Sequence, residues 1–266
     1  MNILVCVKQV PDTTEIKIDP VTNTLIRAGV PSIVNPFDAY ALEIAARIKD
    51  VQPGTSITVL SMGPQQAVAA LKECLSVGAD KAVLVSDRAF GGADTLATSY
   101  TLKCAIDKLE AMNGKFDLIF CGKQAIDGDT AQVGPEIAEH MDCPQITYAV
   151  EVKTENGEAL VKRETGDGYE ILAAKLPCVI TVTKPSFNPR FPTIKSKLAA
   201  NRAVITTLTA ADLPVDAARI GLKGSPTKVK KSFTPPRKQG GVRIAGETGE
   251  ESAAKLFELL NTANVI

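Results

Sequence analysis

Tryptophan is absent from this 266-residue chain and histidine occurs once, at His140. A histidine-based triad or a multi-histidine metal site therefore lacks its material. The six cysteines, Cys6, Cys74, Cys104, Cys121, Cys143 and Cys178, form no CxxC or closer pair, which argues against zinc ribbons and disulfide scaffolds. No apolar run is long enough for a bilayer, and Met1-Asn2-Ile3-Leu4-Val5 leads straight into a strand-like run without a basic leader, so a cytoplasmic protein with no membrane insertion is expected. Net charge is lacking as well, because 30 basic residues cancel 30 acidic ones. No GxGxxG follows a strand and no GxxxxGK[ST] occurs, so neither the dinucleotide fingerprint nor a P-loop applies. What remains is chemistry that a cofactor carries.

The zero net charge hides an asymmetry. Residues 184–243 contain thirteen Lys and Arg but only Asp212 and Asp216 as acids, together with seven of the 16 prolines. That composition step divides the chain into an α/β domain, residues 1–183, and a basic, proline-rich partner-binding loop and arm, residues 184–266, with a terminal helix at Ala253–Leu260. A nucleic-acid arm would interleave aromatics, and only Phe187, Phe191 and Phe233 are available. An arm that wraps an acidic protein partner fits better, and nucleic acid is not expected as a partner.

Short apolar runs at Ile3–Val7, Ile57–Ser61, Val83–Ser86 and Leu118–Cys121 alternate with helical periodicity at Phe37–Ile48, Ala67–Leu75 and Leu96–Leu109. This predicts an α/β fold, a Rossmann-like parallel sheet with helices on both faces. After Pro144 the texture becomes Ile146–Val152, Ala159–Glu164 and Tyr169–Ala173, separated by Asn156-Gly157 and Gly166-Asp167-Gly168. Those turns predict an antiparallel hairpin extension at one edge, followed by one more strand over Leu176–Val182 and an extended C-terminal arm.

Ligands of such sheets bind beyond the carboxyl ends of the strands. The most informative loop there is Gly122-Lys123-Gln124-Ala125-Ile126-Asp127-Gly128-Asp129-Thr130-Ala131-Gln132-Val133, because a helix starting between Asp129 and Pro135 would offer unpaired amides to an anion. Plain helix capping by Asp127, Asp129 or Thr130 explains the same residues. The Gly91-Gly92-Ala93-Asp94-Thr95 stretch reads first as a turn ending in an Asp94 cap and second as another pyrophosphate cradle.

At these residues the chain resembles the beta subunit of electron-transfer flavoproteins. The resemblance is carried by Val7-Lys8-Gln9-Val10-Pro11-Asp12, Asn35-Pro36-Phe37-Asp38-Ala39, Ser61-Met62-Gly63-Pro64, Gly78-Ala79-Asp80 and, most specifically, Gly122 to Gln132. It also covers Val161-Lys162-Arg163-Glu164 and Lys175-Leu176-Pro177, and so runs almost from end to end. It implies a heterodimer with an alpha subunit that carries its own FAD, and an adenine nucleotide in this chain. By position the nucleotide contacts fall on Cys6, Asn35, Pro36, Phe37, Asp38, Met62 and Gly122 to Val133.

Conventional members hold AMP there as a structural ligand, whereas electron-bifurcating members hold a second FAD that accepts hydride from NADH. The Val10-Pro11-Asp12-Thr13 loop and the segment from Phe90 to Ala97 resemble the bifurcating pattern. On that resemblance, NADH falls to Phe90, Gly91, Gly92, Asp94, Thr95 and Thr98, and the electrons go to ferredoxin or flavodoxin and, through the alpha-subunit FAD, to an acyl-CoA dehydrogenase of the butyryl-CoA type. No side chain is then needed as acid, base or nucleophile. One departure is Ser186, where conventional members carry a docking leucine, with Ala199-Ala200-Asn201-Arg202-Ala203 replacing their lysine-rich run; Phe187 or Phe191 takes the leucine's place in this reading. A rival of another class is an adenine-nucleotide sensor whose basic arm touches nucleic acid.

Overall fold

The computed structural model describes residues 1–12, 31–230 and 240–266. Thr13, Phe233 and the Pro235-Pro236 pair lie outside the described residues. In chain order the elements are β1 (Asn2–Cys6), β2 (Gln9–Pro11), β3 (Ser32–Val34), α1 (Pro36–Val51), β4 (Ser56–Met62), α2 (Val68–Val77), β5 (Lys81–Val85), α3 (Thr95–Asn113), β6 (Leu118–Gly122) and α4 (Val133–Met141). They continue with β7 (Gln145–Glu155), β8 (Glu158–Thr165), β9 (Gly168–Lys175), β10 (Cys178–Val182), α5 (Ile194–Arg202), β11 (Thr206–Leu208) and α6 (Gly249–Thr262).

Successive side chains of a strand point to opposite faces, and in β1 both faces are apolar. Ile3 and Val5 enter one core cluster with α1 and α2, while Leu4 and Cys6 enter the other with α3 and α4. Each fully buried Ile or Leu contributes about 1.5–3 kcal/mol, so a strand of this kind belongs at the centre of a parallel sheet. The sheet order is β11-β5-β4-β1-β6-β10-β7-β8-β9, parallel from β11 through β7 and antiparallel from β7 to β9. The α/β sheet with a meander at one edge is therefore as expected.

The helix boundaries follow local chemistry. Pro36 opens α1, where its missing N–H costs nothing. Asp94 caps α3 by accepting the Ala97 N–H at 3.1 Å, and Gly114, with φ 88°, ends the same helix.

The composition changes at Lys184, but the packing does not. Contacts cluster residues 1–17 and 25–230 into one compact unit. Within it β11 extends the sheet, Thr206 to Leu208 pairing with Val83 to Val85, and Lys72 Nζ on α2 donates to the Asn201 carbonyl of α5 at 2.8 Å. Neither α5 nor β11 is visible in the apolar pattern, because α5 buries only Ala200 and β11 is three residues long.

A second unit comprises residues 18–24 and 231–266. In its described part, Thr248 caps α6 by accepting the Glu251 N–H at 3.2 Å, and no residue of this helix is buried.

The chain direction reverses around β1: α1 leads from β3 towards β4 on one face, while α3 on the other face returns from β5 to β6. The switch point, where doubly wound sheets bind ligands, lies between the carboxyl ends of β1 and β6.

Candidate functional site

Two buried side chains at the start of α1, those of its cap residue Asn35 and of Asp38 in its first turn, build the floor of this crevice. Asp38 Oδ2 accepts the Lys8 N–H at 2.7 Å and its Oδ1 accepts the Gly122 N–H at 3.0 Å, so one carboxyl joins the loop after β1 to the last residue of β6. Asn35 is fully buried; its Nδ2 donates to the Gln124 carbonyl at 2.8 Å and its Oδ1 accepts the Ile126 N–H at 3.1 Å. Burial pushes the Asp38 carboxyl up to about 7, against the pull of its bonds from Asn35, Lys8 and Gly122. Gly122 is required by packing alone, since a Cβ there would stand 2.2 Å from Asp38 Oδ1.

Beyond this floor the loop rises toward solvent. Lys8 Nζ pairs with Asp127 Oδ1 at 2.6 Å, and Gln124 Nε2 donates to Asp129 Oδ1 at 2.7 Å. Asp129 and Ala131 adopt left-handed backbone, φ 50° and 54°, which is uncommon for residues with a Cβ. Gly128 is exposed, its φ is not left-handed and a Cβ there would meet nothing within 4 Å among the described residues, so their packing gives no reason for a glycine.

The helix beyond, α4, starts at Val133 with Gln132 as its cap residue and no side-chain capping bond. Capping by Asp127, Asp129 or Thr130 is therefore not what the structure contains. Leading amides without a cap, backed by a positive dipole end, suit an anion.

The loop after β5 is tied differently. Phe90 is buried in the core, and Asp94 does cap α3. Asp94 Oδ2 also accepts the Thr227 N–H at 3.0 Å, the Asp94 N–H donates to Ser225 Oγ at 2.8 Å, and the Leu222 N–H donates to the Gly91 carbonyl at 3.0 Å. Burial pushes the Asp94 carboxyl up, but the bonds from Thr227 and Ala97 outweigh it and hold it below the usual value. Gly92, with φ +72°, lies against Leu222.

Thr95, at the first position of α3, reaches across to α4: its Oγ1 lies 3.1 Å from Gln132 Oε1 and 3.0 Å from Glu136 Oε1. The mouths of α3 and α4 are thus neighbours. Thr98 is half-buried one turn further along α3, and Met62 is half-buried at the end of β4. Cys6 and Cys121 are buried at the ends of β1 and β6, under the crevice. His140 packs edge-on against Tyr100 with ring centroids 6.1 Å apart; burial and the Arg219 guanidinium pull it below the usual imidazole value. Among the described residues no group of three metal-ligating side chains occurs, and no helix is long and apolar enough to cross a membrane.

Residues 22–213, which include the loops after β5 and β6, match the electron transfer flavoprotein domain. The chain belongs to the electron transfer flavoprotein family. It is 55% identical over 255 residues to the electron transfer flavoprotein subunit beta of Megasphaera elsdenii, covering 95% of this chain and 94% of that one. It is 50% identical over 266 residues to the caffeyl-CoA reductase-Etf complex subunit CarD of Acetobacterium woodii, covering all of both chains. It is also 47% identical over 269 residues to protein FixA of Azotobacter vinelandii, covering 97% of this chain and 95% of the relative.

As an electron transfer flavoprotein beta chain it places the residues named from the sequence in two groups. Cys6, Asn35 to Asp38 and Gly122 to Val133 converge on the β1/β6 switch point, with Met62 at the end of the neighbouring β4. Gly91, Gly92, Asp94, Thr95 and Thr98 gather at the mouth of α3, while the Phe90 ring faces the core. Sequence reasoning missed Glu136, Ser225 and Thr227. The first is one helical turn past Gln132 on α4; the other two lie in a stretch whose composition suggests an arm.

Proposed function

We propose that this chain is the beta subunit of a heterodimeric, electron-bifurcating electron transfer flavoprotein, located in the cytoplasm, with FAD in the switch-point crevice. The residues fit such a group. Gln132 makes no side-chain cap at the α4 mouth, a Cβ on Gly128 would meet nothing within 4 Å among the described residues, and Asp129 and Ala131 turn the loop in left-handed backbone just before the helix. The Gly128 and Asp129 amides are spent on the Ala125 carbonyl, at 3.1 and 2.9 Å; the amides from Thr130 to Gly134 would hold the pyrophosphate, Lys123 adds a positive charge, and Asp127 or Asp129 suits ribose hydroxyls.

The observation that carries the FAD reading is the Thr95 hydroxyl within 3.1 Å of Gln132 and 3.0 Å of Glu136. It brings the Gly91-Gly92 loop beside the first crevice, so that a dinucleotide at α4 and NADH at Gly91, Gly92, Thr95 and Thr98 share one opening. The A. woodii relative, at 50% identity, is named as part of a caffeyl-CoA reductase–Etf complex, which accords with a redox role.

When bound, FAD would supply a hydride acceptor for NADH, with ferredoxin or flavodoxin and, by way of the alpha-subunit FAD, an acyl-CoA dehydrogenase as the proposed electron acceptors. The protein's share is position and exclusion of water. Phe191, 92% exposed beside Ile194 and Leu198 of α5, offers the apolar contact for the dehydrogenase in place of the missing leucine. Residues 240–266, with Leu256, Phe257 and Leu259 exposed on α6, serve the alpha subunit.

A second reading keeps AMP in the crevice as a structural ligand. It is favoured by α3, whose first turn is already capped by Asp94, so that of these two neighbouring helices α4 alone lacks a side-chain cap. Anaerobic mixing of the purified heterodimer with NADH separates the two. Bleaching of the flavin band is expected for the first, and an unchanged spectrum would leave the second.

A further inference from the structure

Asn35 and Asp38 fall among the residues expected to touch the nucleotide, yet their polar atoms are turned inward. Asn35 is 0% and Asp38 6% exposed. Between them they engage four backbone groups on two loops: the N–H groups of Lys8, Gly122 and Ile126, and the carbonyl of Gln124. The Lys8 carbonyl in turn accepts the Asn35 N–H at 2.9 Å.

A helix cap residue usually spends its side chain on its own helix. Asn35 does not: it makes no side-chain capping bond to α1. Its amide acts instead as a stand-in for a neighbouring strand, offering one donor and one acceptor to loop residues that no strand reaches. Buried backbone groups must be paired, and without these two side chains the stretch from Gly122 to Ile126 would need to find other partners or open to water.

We infer that Asn35 and Asp38 are positioning residues that preform the nucleotide crevice, acting on the ligand only through the backbone of Lys8, Gly122, Gln124 and Ile126. This rests on the reading of the crevice as a nucleotide site. It departs from direct contact in a testable way: loss of either side chain loosens the loop whether or not ligand is present, and affinity falls equally for any adenine nucleotide.

The test uses the full chain copurified with its alpha subunit. Asn35→Ala, Asn35→Asp and Asp38→Asn are compared with the wild type in two readouts: hydrogen exchange of the 122–130 amides in nucleotide-stripped protein, and AMP affinity by calorimetry. Asn35→Asp is nearly isosteric, keeps the acceptor for Ile126 and loses the donor to Gln124; it carries the test should the other variants fail to accumulate. Exchange is expected to speed up in all variants, with AMP bound more weakly by about tenfold or more, each tenfold corresponding to about 1.4 kcal/mol. Wild-type exchange together with weakened binding would mean direct contact and overturn the inference, as would no change in either readout. Failure of the wild-type complex to bind any adenine nucleotide would sink the functional reading instead, while the exchange data would still decide the positioning role.

Discussion

The loops that leave β5 and β6 both carry glycines and both lead to a helix mouth, but they are held from opposite sides. The β5 loop is clamped by chain that comes more than a hundred residues later, through Leu222, Ser225 and Thr227, and its helix is capped by its own Asp94. The β6 loop is held from beneath by Asn35 and Asp38, and its helix is left without a cap. A glycine pattern therefore does not reveal an anion cradle by itself; the deciding feature is whether the amides beyond it already have partners. By that measure the β6 loop is the better candidate for the proposed nucleotide and the β5 loop an adjunct to it.

The largest expected effect lies at the base of the β6 loop. Gly122→Ala would drive a Cβ to 2.2 Å from Asp38 Oδ1 and 2.7 Å from the Phe37 Cβ, costing about 3 kcal/mol of stability by overpacking. Chemical denaturation should show the loss, and a wild-type midpoint would mean that the floor is softer than its geometry.

Next comes the cap of the β5 loop. Asp94→Ala removes the acceptor for both Ala97 and Thr227 and should cost about 1–2 kcal/mol. Asp94→Asn, which keeps an acceptor for Ala97, should restore most of it. If NADH oxidation falls in the Ala variant and returns in the Asn variant, Asp94 serves NADH as a cap; if it stays low in both, the carboxylate itself meets the ligand.

A smaller effect concerns pH. The Asp38 carboxyl is raised by burial to about 7 from an ordinary 3.8, so between those values the folded state binds more protons than the unfolded one. Its contribution to stability is therefore present at low pH and lost as pH climbs to about 7. The ionisable groups near it are Lys8, Cys74 and Cys121. The opposite sign holds further along α1, at Glu43 and Asp50. Burial raises the Glu43 carboxyl, but the Arg190 guanidinium more than reverses this, and Arg190 also lowers Asp50. Stability from that cluster is present above the usual carboxylate range and lost as pH falls below it. Melting temperatures from pH 4 to 8 should drift less with rising pH in Asp38→Asn than in the wild type; an unchanged slope would show that Asp38 is ionised throughout.

The smallest effect on stability, and the sharpest on the comparison, belongs to Gly128. Among the described residues a Cβ there meets nothing within 4 Å, so Gly128→Ala should leave stability within about 0.5 kcal/mol while weakening nucleotide binding. Unaltered binding would remove the argument that its missing side chain makes room for ligand.

Much of this was legible in the sequence. The apolar runs gave β1, β4, β5 and β6, the Asn156-Gly157 and Asp167-Gly168 turns gave the meander, and Asp94 announced its own cap, because each of these is decided within a few residues. The uncapped start of α4 was not legible, since Asp127, Asp129 and Thr130 all have the chemistry of a cap, yet the helix starts at Val133 with Gln132 at the cap position. Nor were β11 and the Ser225–Asp94 contact: three polar-edged residues carry too little pattern, and a hydrogen bond across 131 positions leaves no local trace. Asn35 and Asp38 were found as residues that matter, but their inward aim depends on how β1 and β6 lie side by side.

The central claim is that the crevice between β1 and β6 holds a redox flavin. Denaturing the gently purified heterodimer and counting the released nucleotides tests it most directly: two FAD per heterodimer is the predicted result, and one FAD with one AMP would contradict it.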